Sequence, residues 1–223
     1  MEQTNKTEKK RCILVCAGDF TPVEIEKQEG DLVIACDGGY DYCCMVGIQP
    51  DLIIGDFDSV SEHVKSQIES IAEEKLAEVI TLPVEKDDTD TMAALRIGIE
   101  RGYKDFRIYG ALGGRVDHTM ANFQSLVFLL DHGAKGYILS HDTMVTAVRN
   151  DTVKFHPGME GIVSLFPLES EISHVTIRGL KYECEDLTIT NGFPIGVSNS
   201  FIGREAEICI GNGTALVMVI WQL

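Results

Sequence analysis

At 223 residues, 44% of them apolar, the chain is long enough and apolar enough to bury a proper core, which argues against intrinsic disorder. A formal net charge of −16 argues against a nucleic-acid-binding surface, because phosphate backbones are held by clustered Lys and Arg. That charge suits a protein that handles anions through metal ions, or one that binds a cationic ligand. The seven cysteines include no Cys-x-x-Cys pair, and most sit in or beside apolar runs. They read as small core residues in a reducing, cytoplasmic compartment, not as a disulfide framework. Residues 1–11 are polar with several lysines and are expected to form a disordered tail, and no apolar run is long enough to span a membrane.

In chain order, an apolar run at 12–17 ends at Gly18 and predicts a first strand. A second, 32–36, runs straight into Asp37-Gly38-Gly39, and a helix over 40–46 is ended by Gly47. The third strand, 52–54, leads to Gly55-Asp56-Phe57-Asp58-Ser59-Val60. In an extended segment, aspartates at i and i+2 leave the backbone on one side, which outlines a site for Mg²⁺, a cation that takes hard oxygen ligands. Ser59 and Glu62 are spaced as a capping box for a helix with Val64, Ile68, Ile71 and Leu76 on one face. A fourth strand, 79–82, precedes Lys86-Asp87-Asp88-Thr89-Asp90, which opens a helix marked by Met92, Leu95 and Ile99 and stopped by Gly102. One helix cap does not need three aspartates and a lysine.

A fifth strand, 106–109, is followed by Gly110-Ala111-Leu112-Gly113-Gly114-Arg115-Val116-Asp117-His118 and a helix with Met120, Phe123, Val127 and Leu130 inward. Paired glycines before a helix let backbone N–H groups approach a phosphate, and an arginine can fork two of its oxygens. Gly-Gly serves any tight turn equally well. Strands and helices so far alternate with short links, which predicts a parallel, Rossmann-like sheet covered on both faces. Each polar cluster follows a strand, so those at Asp37, at Asp56 with Asp58, at 87–90, and at Arg115 with Asp117 should converge on one cleft at the carboxyl edge.

Beyond Gly136 the texture changes to short β-rich runs separated by Gly, Pro, Asn and Asp, the pattern of an all-β sandwich or barrel. The chain is therefore read as α/β: a Rossmann-like domain over 12–140 followed by an all-β sandwich over 141–223. The last strand, 216–221, is apolar on both faces, and Trp221 on it is expected in the core.

No phosphate-binding Gly-x-x-x-x-Gly-Lys-Ser/Thr loop, dinucleotide fingerprint, zinc spacing or Gly-x-Ser-x-Gly elbow is present. An acidic, Mg²⁺-dependent phosphate enzyme remains. The segments Cys-Asp-Gly-Gly at 36–39, Pro-Asp-Leu-Ile-Ile-Gly-Asp-Phe-Asp-Ser at 50–59, Lys-Asp-Asp-Thr-Asp at 86–90, Gly-Gly-Arg-Val-Asp-His at 113–118 and Ser-Asn at 198–199 follow one another in the order and spacing of the thiamin pyrophosphokinase family, which the chain resembles from about residue 12 onward.

That resemblance implies transfer of diphosphate from ATP to the hydroxyethyl group of thiamin, giving thiamin diphosphate and AMP. It also implies a homodimer with composite interface sites. Asp56, Asp58 and Asp90 would be the catalytic carboxylates that hold Mg²⁺ on the ATP phosphates, with Asp58 the weakly favoured acceptor of the alcohol proton. Asp37, Gly38, Gly39, Asp117 and His118 would shape the nucleotide site. Lys86, Asp87, Thr89, Gly113, Gly114, Arg115 and Asn122 would complete it. Ser198 and Asn199 would bind thiamin, with Phe201 stacked on its ring. Two other readings remain open from the residues themselves. Asp56-Phe57-Asp58-Ser59-Val60 also fits the nucleophile motif of haloacid-dehalogenase-type phosphatases, although that motif normally sits on the first strand. A non-catalytic nucleotide or Mg²⁺ sensor would keep the same pocket without turnover.

Overall fold

The computed structural model of the protein describes residues 10–57, 62–83 and 88–221. Packing divides the chain after Gly114 into two compact units. The first contains β1 (Arg11–Val15), β2 (Leu32–Cys36), α1 (Gly39–Val46), β3 (Leu52–Gly55), α2 (Glu62–Glu73), β4 (Glu78–Thr81), α3 (Asp90–Glu100) and β5 (Asp105–Tyr109). Its strands pair in parallel in the order β5-β1-β2-β3-β4. β2 and β3 are buried at every position, as expected where helices cover both faces of a parallel sheet.

Alternate residues face opposite layers. Ile13, Val15, Val33, Ala35 and Ile53 join Cys43 of α1 and Ile68 and Ile71 of α2 in one core. On the opposite face α3 packs on β1, β2 and β3, with Gly98 placed so close to Phe106 and Cys12 that a Cβ would meet the Phe106 ring at 2.6 Å. Leu76, expected on the inward face of α2, lies past its end and is 58% exposed.

The second unit contains α4 (Val116–Asp131), β6 (Lys135–Leu139), β7 (Thr143–Arg149), β8 (Thr152–Phe155), β9 (Ile162–Pro167), β10 (Glu171–Arg178), β11 (Cys184–Thr190), β12 (Asn199–Ser200), β13 (Ala206–Asn212) and β14 (Thr214–Ile220). Two antiparallel layers, β12-β9-β14-β7-β6 and β11-β10-β13-β8, enclose a core built from Val163, Leu165, Val217 and Val219 of the first and Ile172, Val175, Ile208 and Ile210 of the second. This is the expected sandwich. α4 packs on β6 and β7. Its period is as predicted but its phase is not: Asn122, Ser125, Leu126 and Leu129 face inward, and Met120 is 53% exposed. Two polar residues on the buried stripe hid it from a purely apolar count. Ser125 Oγ resolves its own burial by donating to the Asn122 carbonyl at 2.7 Å. All seven cysteines are free thiols, with Cys43 buried and Cys44 exposed.

One ion pair pins the start of the first unit. The Asp31 carboxylate, 1% exposed, accepts from the Arg11 backbone N–H at 2.8 Å, from Arg11 Nε at 3.0 Å and from the Gln28 N–H at 3.0 Å. Burial pushes this carboxyl up, but the Arg11 guanidinium and the two amides outweigh it and hold it below the ordinary range. A depressed folded-state pKa means that the stabilisation is complete above the unfolded value of about 3.9 and is lost as pH falls through the lower, folded value. Asp31→Ala should therefore cost about 3 kcal/mol at pH 7 in urea unfolding and flatten the acid limb of the stability curve. An unchanged acid limb would contradict this assignment.

Candidate active site

The strand ends of the first unit bring acidic side chains to one edge. Asp37 follows β2 in left-handed backbone, φ +49°, and its N–H donates to the Ile54 carbonyl at 2.8 Å. The β2–β3 ladder thus runs one residue past the end of β2. Gly55 eases this: a Cβ there would lie 3.0 Å from the Asp37 Cα, a tighter fit than most real side chains show. Asp56, the next residue after Gly55, is half-buried.

α3 contributes the third carboxylate. Thr89 is its N-cap, accepting from the Met92 N–H at 3.2 Å, and Asp90 occupies the first turn. Asp88 is drawn away to Arg96 at 3.0 Å. The side-chain oxygens Oδ1 of Asp37 and Asp90 are both buried atoms. Beneath Asp90, Thr91 Oγ1 donates to Cys16 Sγ at 3.4 Å. The Cys16 thiol, then burial, with a smaller push from the Asp90 charge, raise the Cys36 thiol well above its ordinary range, so Cys36 stays protonated. Asp90 therefore sits over the ends of β1 and β2.

The extended Asp-x-Asp expectation needs correction. β3 ends at Gly55, and Phe57 adopts φ +55°, a backbone strained for an aromatic residue. The ring it turns inward is 9% exposed and packs in the core with Ile13, Val33 and Ile53. Burial of Phe57, not strand alternation, sets the direction of this turn. Asp58, Lys86 and Asp87 lie outside the described residues.

Asp37, Asp56 and Asp90 supply the hard oxygen donors that suit Mg²⁺, which needs only one or two carboxylates when phosphate oxygens and water complete its shell. Among the described residues no three His, Cys, Asp or Glu side chains already form a closed metal cage.

A second feature of this edge lies where the sheet order reverses, between β1 and β5, the position at which open α/β sheets bind ligands. The chain leaving β1 runs alongside the chain leaving β5, with Cys16, Gly18 and Asp19 N–H groups donating to the carbonyls of Tyr109, Gly110 and Leu112 at 2.8, 2.7 and 2.9 Å. Gly113 and Gly114 both take left-handed backbone, φ +74° and +60°.

In the second unit, Arg115 is the N-cap residue of α4 and grips Asp117 through Nη2–Oδ2 at 2.6 Å and Nε–Oδ1 at 3.2 Å, with the His118 N–H donating to Asp117 Oδ1 at 3.0 Å. The hydrogen-bonded guanidinium holds the Asp117 carboxyl below its ordinary range, but both side chains are largely exposed and a pair of this kind exchanges partners at little cost. Asn122 is buried one turn further along α4.

Ser198 is exposed, takes φ +61°, and is fixed through its N–H to Ser164 Oγ at 3.0 Å. Asn199 is buried: its Oδ1 accepts from the N–H groups of Tyr182 and Ser200, each at 2.9 Å, and its Nδ2 donates to the Tyr182 carbonyl at 2.7 Å. Phe201 meets Phe155 edge-on at 5.2 Å between centroids. A cavity of about 640 Å³ opens here, lined by Glu160, Ser200, Phe201, Ile202 and Trp221 among others. Trp221, expected in the core, is half-buried just past β14, with part of its surface on the core and part on the cavity.

Two family models match the chain in succession: the thiamin pyrophosphokinase catalytic domain over residues 24–138 and the thiamin pyrophosphokinase vitamin B1 binding domain over 151–215. The chain belongs to the thiamin pyrophosphokinase family.

Among relatives of this family, the Bacillus subtilis thiamine pyrophosphokinase is 29% identical over 199 residues, covering 86% of this chain and 87% of the relative. The Caenorhabditis elegans thiamin pyrophosphokinase 1 is 29% identical over 183 residues, covering 77% and 70%. The crystal structure of the Bacillus subtilis thiamine pyrophosphokinase superposes with a TM-score of 0.84 at 25% identity, over 96% of this chain and all of that one. A Candida albicans thiamin pyrophosphokinase shares the fold, with a TM-score of 0.75 at 16% identity over 96% and 90% of the two chains. These matches give no support to the phosphatase and sensor alternatives. The thiamin pyrophosphokinase catalytic match spans Asp37, Asp56, Asp90, Arg115 and Asn122, and the vitamin B1 match spans Ser198, Asn199 and Phe201.

Composition and spacing gave no hint of Trp221 or Glu160 at this cavity, because a terminal tryptophan after an apolar strand looks like core. Truncating Asn199 would strand the amides of Tyr182 and Ser200. Asn199→Ala should therefore lower stability by about 2 kcal/mol in denaturant unfolding, and an unchanged midpoint would show that this amide does not hold the turn.

Proposed function

We propose that the protein transfers the terminal diphosphate of ATP to the hydroxyethyl group of thiamin in an Mg²⁺-dependent reaction that yields thiamin diphosphate and AMP. The observation that carries this reading is that the carboxylates brought to one sheet edge fall within the region matched by the family's catalytic domain, with its vitamin B1 binding domain following on the same chain.

Asp56 and Asp90, with Asp58 from the adjoining turn, would hold Mg²⁺, and Asp37 would complete the acidic wall. Bound there, the ion would neutralise the polyphosphate oxygens and draw charge from the attacked phosphorus. The remaining work belongs to the chain. Lys86 and Arg115 would offset the charge of the phosphates, Arg115 by exchanging its exposed Asp117 partner for phosphate oxygens. Gly38, Gly39, Asp87, Thr89, Gly113, Gly114, His118 and Asn122 would shape the nucleotide pocket around them. Asp58 would take the proton from the thiamin hydroxyl as the β-phosphorus is attacked, and departure of AMP completes the transfer.

For thiamin, the cavity beside Phe201 supports the reading. It joins two aromatic rings, Phe201 and Trp221, to the carboxylate of Glu160, a combination that attracts a permanent cation such as a thiazolium by charge and cation–π contact. Ser198 would hydrogen-bond the aminopyrimidine, while Asn199, its amide engaged within the turn, would hold Ser198 and Ser200 in place.

The active form is proposed to be a cytoplasmic homodimer with sites shared between copies. Support comes from Phe193, Ile195 and Val197, which are 64%, 56% and 42% exposed on the loop that leads into Ser198, an apolar surface suited to a second copy. Among the described residues no helix is long and apolar enough to cross a membrane.

Incubation with thiamin, ATP and Mg²⁺ should give AMP and thiamin diphosphate by mass, with no product when any component is omitted. ADP with thiamin monophosphate, or free phosphate independent of thiamin, would overturn the assignment. Asp56→Asn should lower turnover by about a hundredfold or more in a protein that still folds, since one preorganised charge contact is worth roughly 3 kcal/mol in a transition state. Near-normal turnover would remove Asp56 from the metal site.

A further inference from the structure

Asp19 has no part in the site as drawn so far, yet it stands in the crevice between the ends of β1 and β5. Its Oδ2 accepts from the Gly114 N–H at 2.9 Å, and its own N–H donates to the Leu112 carbonyl at 2.9 Å. The Asp19 carboxylate occupies the space that a Cβ on Gly113 would need, so the side chain and the glycine turn are fitted to each other. The segment that carries Asp19 is itself braced from the other side. Tyr42 of α1 donates its hydroxyl to the Gly18 carbonyl at 2.8 Å, and its ring stacks on Phe20 at 4.5 Å and 12°. Gly18 is held close in turn, because a Cβ there would meet the Gly110 and Leu112 carbonyl oxygens at 2.6 and 2.8 Å.

From this geometry we infer that Asp19 is a positioning residue for ATP: its carboxylate sets the left-handed Gly113-Gly114 turn. Two consecutive glycines in an exposed loop have many backbone states open to them, and a phosphate that binds their amides must otherwise supply the ordering entropy itself. A charge-assisted hydrogen bond to one of those amides selects the binding-ready turn in advance. The inference rests on the reading that this loop receives ATP phosphates. It adds a residue from the β1 exit, and through Tyr42 and Phe20 a brace from α1, that the sequence motifs do not include.

The test compares Asp19→Ala, Asp19→Asn and the unaltered enzyme in steady-state turnover with each substrate varied, alongside amide hydrogen exchange over residues 110–115. Asp19→Ala should speed exchange at Gly113 and Gly114 and raise the KM for ATP about tenfold, the size expected for losing one charge-assisted hydrogen bond, with kcat and the KM for thiamin within about twofold. Asp19→Asn keeps an oxygen acceptor and should restore most of the ATP affinity, a rescue that general loss of folding would not give. A lower KM for ATP in Asp19→Ala would overturn the inference by showing that the carboxylate competes with phosphate for the amide. Equal loss of kcat in both variants would overturn it by making Asp19 a metal ligand or reacting group. Faster exchange with an unchanged KM for ATP would show that the bond orders the loop but that the loop does not receive ATP, whereas unchanged exchange would reject the bond itself.

Discussion

A parallel sheet covered by helices on both faces leaves one place for charge, the edge where its strands end, and the first unit is built around that constraint. β2 and β3 carry no polar side chain along their lengths, and the first carboxylates appear at Asp37 and Asp56, immediately past their ends. The approach of these two chain segments is eased by the missing side chain at Gly55, and their ladder continues through the Asp37 amide to Ile54. α3 completes the arrangement because its N-terminus, capped by Thr89, is packed against the same strands. Carboxylates gathered in this way repel one another and would repel a bare polyphosphate, and a bound cation would relieve both, which is the physical ground for the proposed metal–nucleotide substrate.

Much of this was legible in the sequence because continuous apolar runs, glycine stops and acidic clusters have direct physical meanings. The strand end at Cys36, the third strand to within one residue, the stop at Gly47 and the alternation of strand and helix were all readable, and so was the switch to short β-strands. What resisted reading was whatever depends on tertiary fit. Phe57 interrupts the extended Asp-x-Asp because its ring is more stable in the core than in water, at the expense of a left-handed backbone. Asn122 and Ser125 turn the inward face of α4 away from the stripe its apolar residues suggest. Nothing local to Asp19 reveals that the chain leaving β5 runs beside it.

The second unit shows a different division of labour. Its sandwich core is an apolar scaffold, and its polar chemistry is confined to turns, where Asn199 locks one loop and Ser198 is presented on left-handed backbone. Trp221 follows the same logic at the chain's end: one part of its surface seals the core and another faces the cavity that Phe201 and Glu160 also line. Identity alone would have placed Trp221 wrongly, and only its position just past the end of β14 shows both of its faces.

The central claim is that the acidic edge directs attack at the β-phosphorus of ATP. It is tested most directly with ATP carrying a radioactive label only at its β-phosphorus, incubated with thiamin and Mg²⁺ and separated into products. The account predicts that the label leaves with thiamin as its diphosphate and that the AMP formed is unlabelled. Label retained in ADP beside an unlabelled thiamin monophosphate would mean that the γ-phosphorus is attacked, and would contradict it.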